Sequence, residues 1–176
     1  GIHAGLRKNK SKRDLALIVA DSRCAAAGMF TTNKVFAAPV GVSRSHISDG
    51  YAQAIICNSG NANACTSDGY EKANITCEAL AQHLGIAEED IVVASTGVIG
   101  LPLPVEIIVN AIPELAEGLA YGENASHTAA NAIMTTDTRP KEFACEIVIG
   151  GKKVRLGGIC KGSGMIEPNM GTMLGF

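Results

Sequence analysis

Three short stretches place hydroxyl and glycine residues where strands or helices are predicted to end: Asn58–Ala64 (NSGNANA), Ser95–Gly100 (STGVIG) and Lys161–Thr172 (KGSGMIEPNMGT). A serine or threonine hydroxyl can attack a carbonyl when a base lies beside it, and can donate a hydrogen bond to the oxyanion that such an attack creates. STGVIG has the flavour of a phosphate loop but lacks GxxxxGK[ST], and the dinucleotide pattern GxGxxG is absent too. The four histidines, His3, His46, His83 and His127, do not accompany a GxSxG elbow, which argues against a conventional hydrolase triad. None of the six cysteines forms a CxxC pair and no histidine sits at ligand spacing, so no metal site is expected. Most of the cysteines lie inside apolar runs, where a reduced thiol acts as a small hydrophobe, as in a cytoplasmic protein.

The elements that must position these loops follow from hydrophobic periodicity. Leu15–Ala20, Ala25–Phe30, Ala38–Ser43 and Ala52–Cys57 are apolar runs of strand length, and continuous runs suit strands covered on both faces. A helix is predicted over Tyr70–Leu84, where Ala73, Cys77, Leu80 and Leu84 form one stripe and Gly85 supplies the stop. Ile91–Ser95 is a short buried strand that delivers Thr96 and Gly97 at its end. A helix starts near Pro104, and Pro113 is expected to kink it or to begin another. A further helix spans Asn124–Met134 and stops at the polar run TTDT (Thr135–Thr138). Glu142–Ile149 and Lys152–Cys160 flank Gly150-Gly151, a hairpin signal.

The chain has 176 residues, 47% hydrophobic and 18% charged, with a net charge of −2. Its size allows one domain burying about 70% of its extended surface. Such a charge offers no attraction for nucleic acid or an anionic membrane, and no apolar stretch is long enough to span a bilayer. The sequence begins at Gly1 without a methionine, so a segment upstream is expected.

Six ordered motifs together resemble the ornithine acetyltransferase (glutamate N-acetyltransferase) family of arginine biosynthesis: GIHAGLRK at residues 1–8, DLALIVA at 14–20, FTTN at 30–33, NSGNANAC at 58–65, ASTGVIG at 94–100 and IMTTDT at 133–138. The tail, KGSGMI at 161–166 followed by PNMGTML at 168–174, looks like that family's self-cleavage signature. The resemblance covers the whole chain. It implies a layered αββα sandwich of the α/β class and a precursor that breaks its own Gly171–Thr172 bond. Residues 1–171 would then form a single compact α-chain domain, and 172–176 the first residues of the β chain. The two pieces would stay together as an α2β2 heterotetramer.

The resemblance further implies that Thr172 takes the acetyl group of N-acetylornithine, releases ornithine, and passes the acetyl group to glutamate to give N-acetylglutamate. Some members also accept acetyl-CoA as a substrate, and no cofactor is implied. Thr96 and Gly97 match the oxyanion-hole pair, and Lys161 matches a substrate-contacting lysine. Thr135 matches a substrate-binding threonine, with the adjacent Thr136 as the other candidate. Asn58–Ala64 is read as support for the site. Once Thr172 is a chain terminus, its α-amine, with a pKa of about 8, can serve as the base for its own hydroxyl. Before cleavage that nitrogen is an amide and cannot. Gly171 departs from the family's usual alanine; both are small, so cleavage is expected to persist, though more slowly. Residues supplied by the β portion are missing from this chain, which is therefore expected to be inactive alone. The rival readings are a self-processing aminopeptidase or amidase of the same fold, whose relatives usually cleave before serine, and a processing-dead scaffold.

Overall fold

The computed structural model describes residues 1–164, 166, 170 and 173–176. Strands β1 (Leu15–Ala25), β2 (Tyr51–Asn61) and β3 (Ile91–Val98) form one sheet in that order, β1 antiparallel and β3 parallel to β2. Strands β4 (Lys141–Ile149), β5 (Lys152–Lys161) and β6 (Leu174–Gly175) form a second, antiparallel sheet. Four α-helices accompany them: α1 (Ala38–His46), α2 (Gly69–Leu84), α3 (Val105–Glu117) and α4 (Glu123–Ala132).

Alternation along the first sheet builds a core on each face. Leu15, Leu17, Ala54, Ile56, Ile91 and Val93 point to one side, where Val42 of α1, the α2 stripe and Ile108, Ile112 and Leu115 of α3 cover them. Ala16, Cys57 and Ala94 point to the other, against Ala129, Ala130 and Ala132 of α4, Ile133, and Ile159 of β5. Small side chains on this second face let α4 and the second sheet come close. The result is the layered α/β architecture expected.

Two predicted strands are not strands. Ala25–Phe30 fails because β1 runs through to Ala25, opposite Tyr51, where its partner β2 begins. The register of β1 shifts between Val19 and Cys24, which lets the strand outrun its predicted end. Ala38–Ser43 is instead the start of α1, with Pro39 in its first turn. The helix is held by the open side of β3: Ser43 Oγ donates to the Val93 carbonyl at 2.6 Å and accepts from the Val93 N–H at 2.9 Å. His46 Nδ1 lies 2.8 Å from the Ile91 carbonyl oxygen. Side chains of α1 thus satisfy backbone groups that an edge strand would leave exposed.

Helix α3 continues through Pro113 rather than restarting there. An internal proline costs about 3 kcal/mol. Val105, Ile108, Ile112 and Leu115 are buried along the same helix, at roughly 1.5–3 kcal/mol each, and outweigh it. The other expectations differ only at their ends. Gly85 caps α2 at φ 68°, and Gly150 and Gly151 (φ 57° and 77°) make the hairpin turn with both central residues left-handed.

Candidate functional site

Strands β2 and β3 run parallel with Ser59 beside Thr96 and Gly60 beside Gly97. NSGN is therefore the end of a strand, where the sequence suggests only a loop. The two chains converge so closely at the glycines that a Cβ on Gly97 would fall 2.6 Å from both the Gly60 carbonyl oxygen and the Asn61 nitrogen. Gly97 also has φ 141°, a conformation costly for any side chain. Only glycine fits there, and the side chains around it lock the strand ends. Ser95 Oγ donates to Asn58 Oδ1 at 2.6 Å, Asn58 Nδ2 to the Asn61 carbonyl at 2.9 Å, and Ser59 Oγ to the Ala132 carbonyl at 2.6 Å. The Asn61 amide reaches the Leu101 and Pro102 carbonyls. Thr96 itself is fully buried.

Lys161, the last residue of β5, meets Thr96 from the other sheet: its Nζ donates to Thr96 Oγ1 at 3.2 Å. A lysine only 2% exposed is unusual unless it is partnered. Burial lowers its pKa; Asp137 and the Cys57 thiol act to raise it, and Lys141 and Arg7 to lower it. The ammonium that donates to Thr96 Oγ1 leaves the threonine's own proton to be aimed elsewhere.

The TTDT run adds a third wall. Asp137 Oδ1 accepts from the Gly162 N–H at 2.9 Å and pairs with Lys141 Nζ, while Asp137 Oδ2 lies 3.5 Å from the Thr135 N–H. Burial pushes the Asp137 carboxyl up, but the hydrogen bonds from Lys141, Gly162 and Thr135 pull it further down, to about 2. Thr136 Oγ1 shares a hydrogen bond with Ser163 Oγ at 2.8 Å, whereas Thr135 is half-buried. From the N-terminus, Asp14 accepts from the N–H groups of Ala4 (2.6 Å), Gly5 (3.3 Å) and Arg7 (2.9 Å), and so shapes the GIHAGLRK loop. That loop packs over Gly60, and Arg7 reaches the Met134 carbonyl.

The structure thus brings together Thr96, Gly97, Lys161 and the 135–137 segment, which are far apart along the chain. Gly171 and Thr172 lie outside the described residues. β6 begins at Leu174, which lies opposite Lys161, with Gly175 opposite Cys160. Asp137, Asp14 and Arg7 were not singled out from sequence. A lone carboxylate in a short polar run between helix and hairpin, four residues before Lys141, was the available signal for Asp137. Cys57 and Cys77 are buried as expected, but Cys24, on the exposed outer stretch of β1, and Cys65, beyond the end of β2, are exposed.

A buried hydroxyl held by a lysine, beside a glycine that tolerates no side chain, makes a rigid polar strand end whose hydrogen-bond donors can hold a developing negative charge. The fold matches the crystal structure of ornithine acetyltransferase complexed with ornithine from Mycobacterium tuberculosis, with a TM-score of 0.89 and 35% identity, over 99% of this chain and 90% of that one. It also matches arginine biosynthesis bifunctional protein ArgJ from Bacillus halodurans, with a TM-score of 0.88 and 40% identity, over 99% and 88%. Arginine biosynthesis bifunctional protein ArgJ 1 of Clostridium acetobutylicum is 49% identical over all of this chain, and the Bacillus cereus ArgJ protein 48%. The model of the ArgJ family matches residues 1–176, and the chain belongs to that family. It spans 43% of the length of those two curated relatives.

Proposed function

We propose that this chain is the front part of a self-processing acetyltransferase of arginine biosynthesis that moves an acetyl group from N-acetylornithine to glutamate. Residues 1–171 form the α-chain domain, and Thr172 opens the β chain. The observation that carries this reading is the Lys161–Thr96 hydrogen bond, because it joins the strand end bearing the oxyanion donors to the strand that pairs with Leu174, two residues after Thr172. A second observation supports a break in the chain. The same 176 residues that span 43% of the curated relatives cover 88% and 90% of the solved chains, which are thus about half as long as the curated proteins.

In this reading the Thr172 hydroxyl attacks the Gly171 carbonyl carbon, the acyl group shifts from nitrogen to oxygen, and water hydrolyses the ester. This leaves a carboxylate on Gly171 and a free α-amine on Thr172. That amine then takes the hydroxyl proton as the oxygen attacks the acetyl carbonyl of N-acetylornithine, and returns it to the departing amine of ornithine. The Thr96 hydroxyl and Gly97 N–H hold the tetrahedral oxyanion. The amine of glutamate attacks the acetyl-threonine in turn and leaves as N-acetylglutamate, regenerating Thr172. Lys161 and Thr135 orient substrate, and no cofactor takes part. The assembly is an α2β2 heterotetramer in the cytoplasm.

Intact-mass measurement and N-terminal sequencing of the full-length protein test this. Two fragments are expected, the second beginning Thr-Met-Leu, and Thr172→Ala should give one uncut chain without transferase activity. Efficient cleavage in that variant would remove Thr172 from the mechanism. Free acetate from N-acetylornithine, with no acetylglutamate on adding glutamate, would identify an amidase, and a single uncut, inactive wild-type chain would identify a scaffold.

A further inference from the structure

Strand β4 begins beyond the site. Its ladder with β5 starts at Lys141 opposite Cys160, and the residue before it, Pro140, has no N–H to carry the pairing further. β5 nevertheless continues through Lys161, and Gly162 follows. Ile159 turns its N–H toward Phe176, so alternation turns the Gly162 N–H to the opposite edge, where β4 is no longer present. The 135–137 segment takes over there. Asp137 Oδ1 accepts from the Gly162 N–H at 2.9 Å, and Thr136 Oγ1 meets Ser163 Oγ at 2.8 Å. Asp137 Oδ2 reaches back to the Thr135 N–H at 3.5 Å. One carboxylate thus fastens the residue after Lys161 to the segment that carries Thr135.

Holding main-chain N–H groups does not by itself call for a charge. The Asp137 side chain is fully buried, while its ion partner Lys141 is 39% exposed. An asparagine or serine oxygen would accept the same bonds without stripping water from an ion. What the charge adds is its action on Lys161. Burial disfavours that ammonium; Asp137 is the foremost group favouring it and Cys57 of β2 acts in the same sense, whereas Lys141 of β4 and Arg7 of the N-terminal loop oppose it. Lys161 reaches Thr96 on a flexible four-carbon stem, so the place of its charge depends on how the end of β5 is held.

We propose that Asp137 is a positioning residue for substrate binding, which sets Thr135 and Lys161 at a fixed separation so that one substrate meets both at once. Fully buried and engaged with Gly162, Lys141 and Thr135, it acts through those two residues rather than on the substrate. The inference rests on reading Thr135 and Lys161 as substrate contacts, as proposed above.

Steady-state acetyl transfer by the full-length protein tests it, in Asp137→Asn, Lys161→Met and the double variant. In Asp137→Asn, KM for N-acetylornithine and for glutamate should rise about tenfold with kcat within about threefold of wild type, because binding made equally in the ground and transition states is lost. A residue acting through Lys161 loses most of its effect once that lysine is gone, so KM of the double variant should lie within about threefold of Lys161→Met alone. A variant that is destabilised but kinetically normal, or two effects that multiply in full, would overturn the proposal. Should Asp137→Asn not fold, Asp137→Glu, which keeps the charge but moves the carboxylate by one methylene, is expected to show the same rise in KM, and an unchanged KM overturns the proposal equally. Lys161→Met separates the two readings. If its KM is unchanged, Lys161 is no substrate contact and both fall; if its KM rises while that of the Asp137 variant does not, only the role of Asp137 falls.

Discussion

Replacing Thr96 by valine is the sharpest perturbation of the site. The residue is fully buried, so a methyl in place of the hydroxyl keeps the shape and removes two functions. The first, in the proposed mechanism, is the donor to the oxyanion, whose loss typically lowers kcat by about 10²–10³, or roughly 3–4 kcal/mol of barrier. The second is the acceptor for Lys161 Nζ, which at 2% exposure has little water to turn to. Losing one partner of a buried, charged hydrogen bond costs about 1–3 kcal/mol of stability. The assay is acetyl transfer from N-acetylornithine to glutamate by the full-length protein, alongside urea unfolding. A 10²-fold or greater fall in kcat with a nearly constant KM is expected, with most activity recovered in Thr96→Ser. A valine variant that folds and retains kcat within threefold of wild type would refute the assignment of this hydroxyl to the oxyanion.

Three further outcomes follow from particular contacts. Gly97→Ala should destabilise the protein by more than about 2 kcal/mol, because φ is positive and the new Cβ would sit against the Gly60–Asn61 backbone; thermal melting within a degree of wild type would contradict that packing. The Asp137 carboxyl is held down near 2 in the fold, so its contribution of about 2 kcal/mol is present above pH 4 and drains away as pH falls from about 4 to 2. In Asp137→Asn that part of the acid dependence should vanish, as read by unfolding free energy against pH. An alkylating reagent at neutral pH should label the exposed Cys24 and Cys65 quickly. Cys57 and Cys77 should stay unmodified until unfolding, since burial pushes each thiol up to about 12; peptide mapping checks the order.

What could be read from the sequence was whatever local pattern decides. The α2 stripe with its glycine stop, the Gly-Gly hairpin and the strands at Leu15 and Ile91 carry their periodicity and punctuation within a few residues, and they appear where expected. Ala38–Ser43 is apolar enough for a strand, and only the presence of an open β3 edge, fifty residues on, makes a helix bearing Ser43 the better solution. Site residues divide in the same way. Thr96, Gly97, Lys161 and Thr135 are proposed as site residues from a motif resemblance and not from spacing. The need for glycine at 97 has a physical cause, the approach of Gly60, that no window around residue 97 contains. Asp137 is not evident in the sequence because one of its partners, Gly162, lies across a hairpin that the sequence does not fold for the reader.

Lys161 and Thr96 belong to different sheets, and the strand carrying the lysine is among the last parts of this chain to be synthesised. Their contact cannot exist until both sheets have docked around α4. In the proposed self-processing, chemistry that depends on it is clocked by assembly: a polypeptide still emerging from the ribosome holds the necessary residues but not their meeting, and is protected from acting on itself too early.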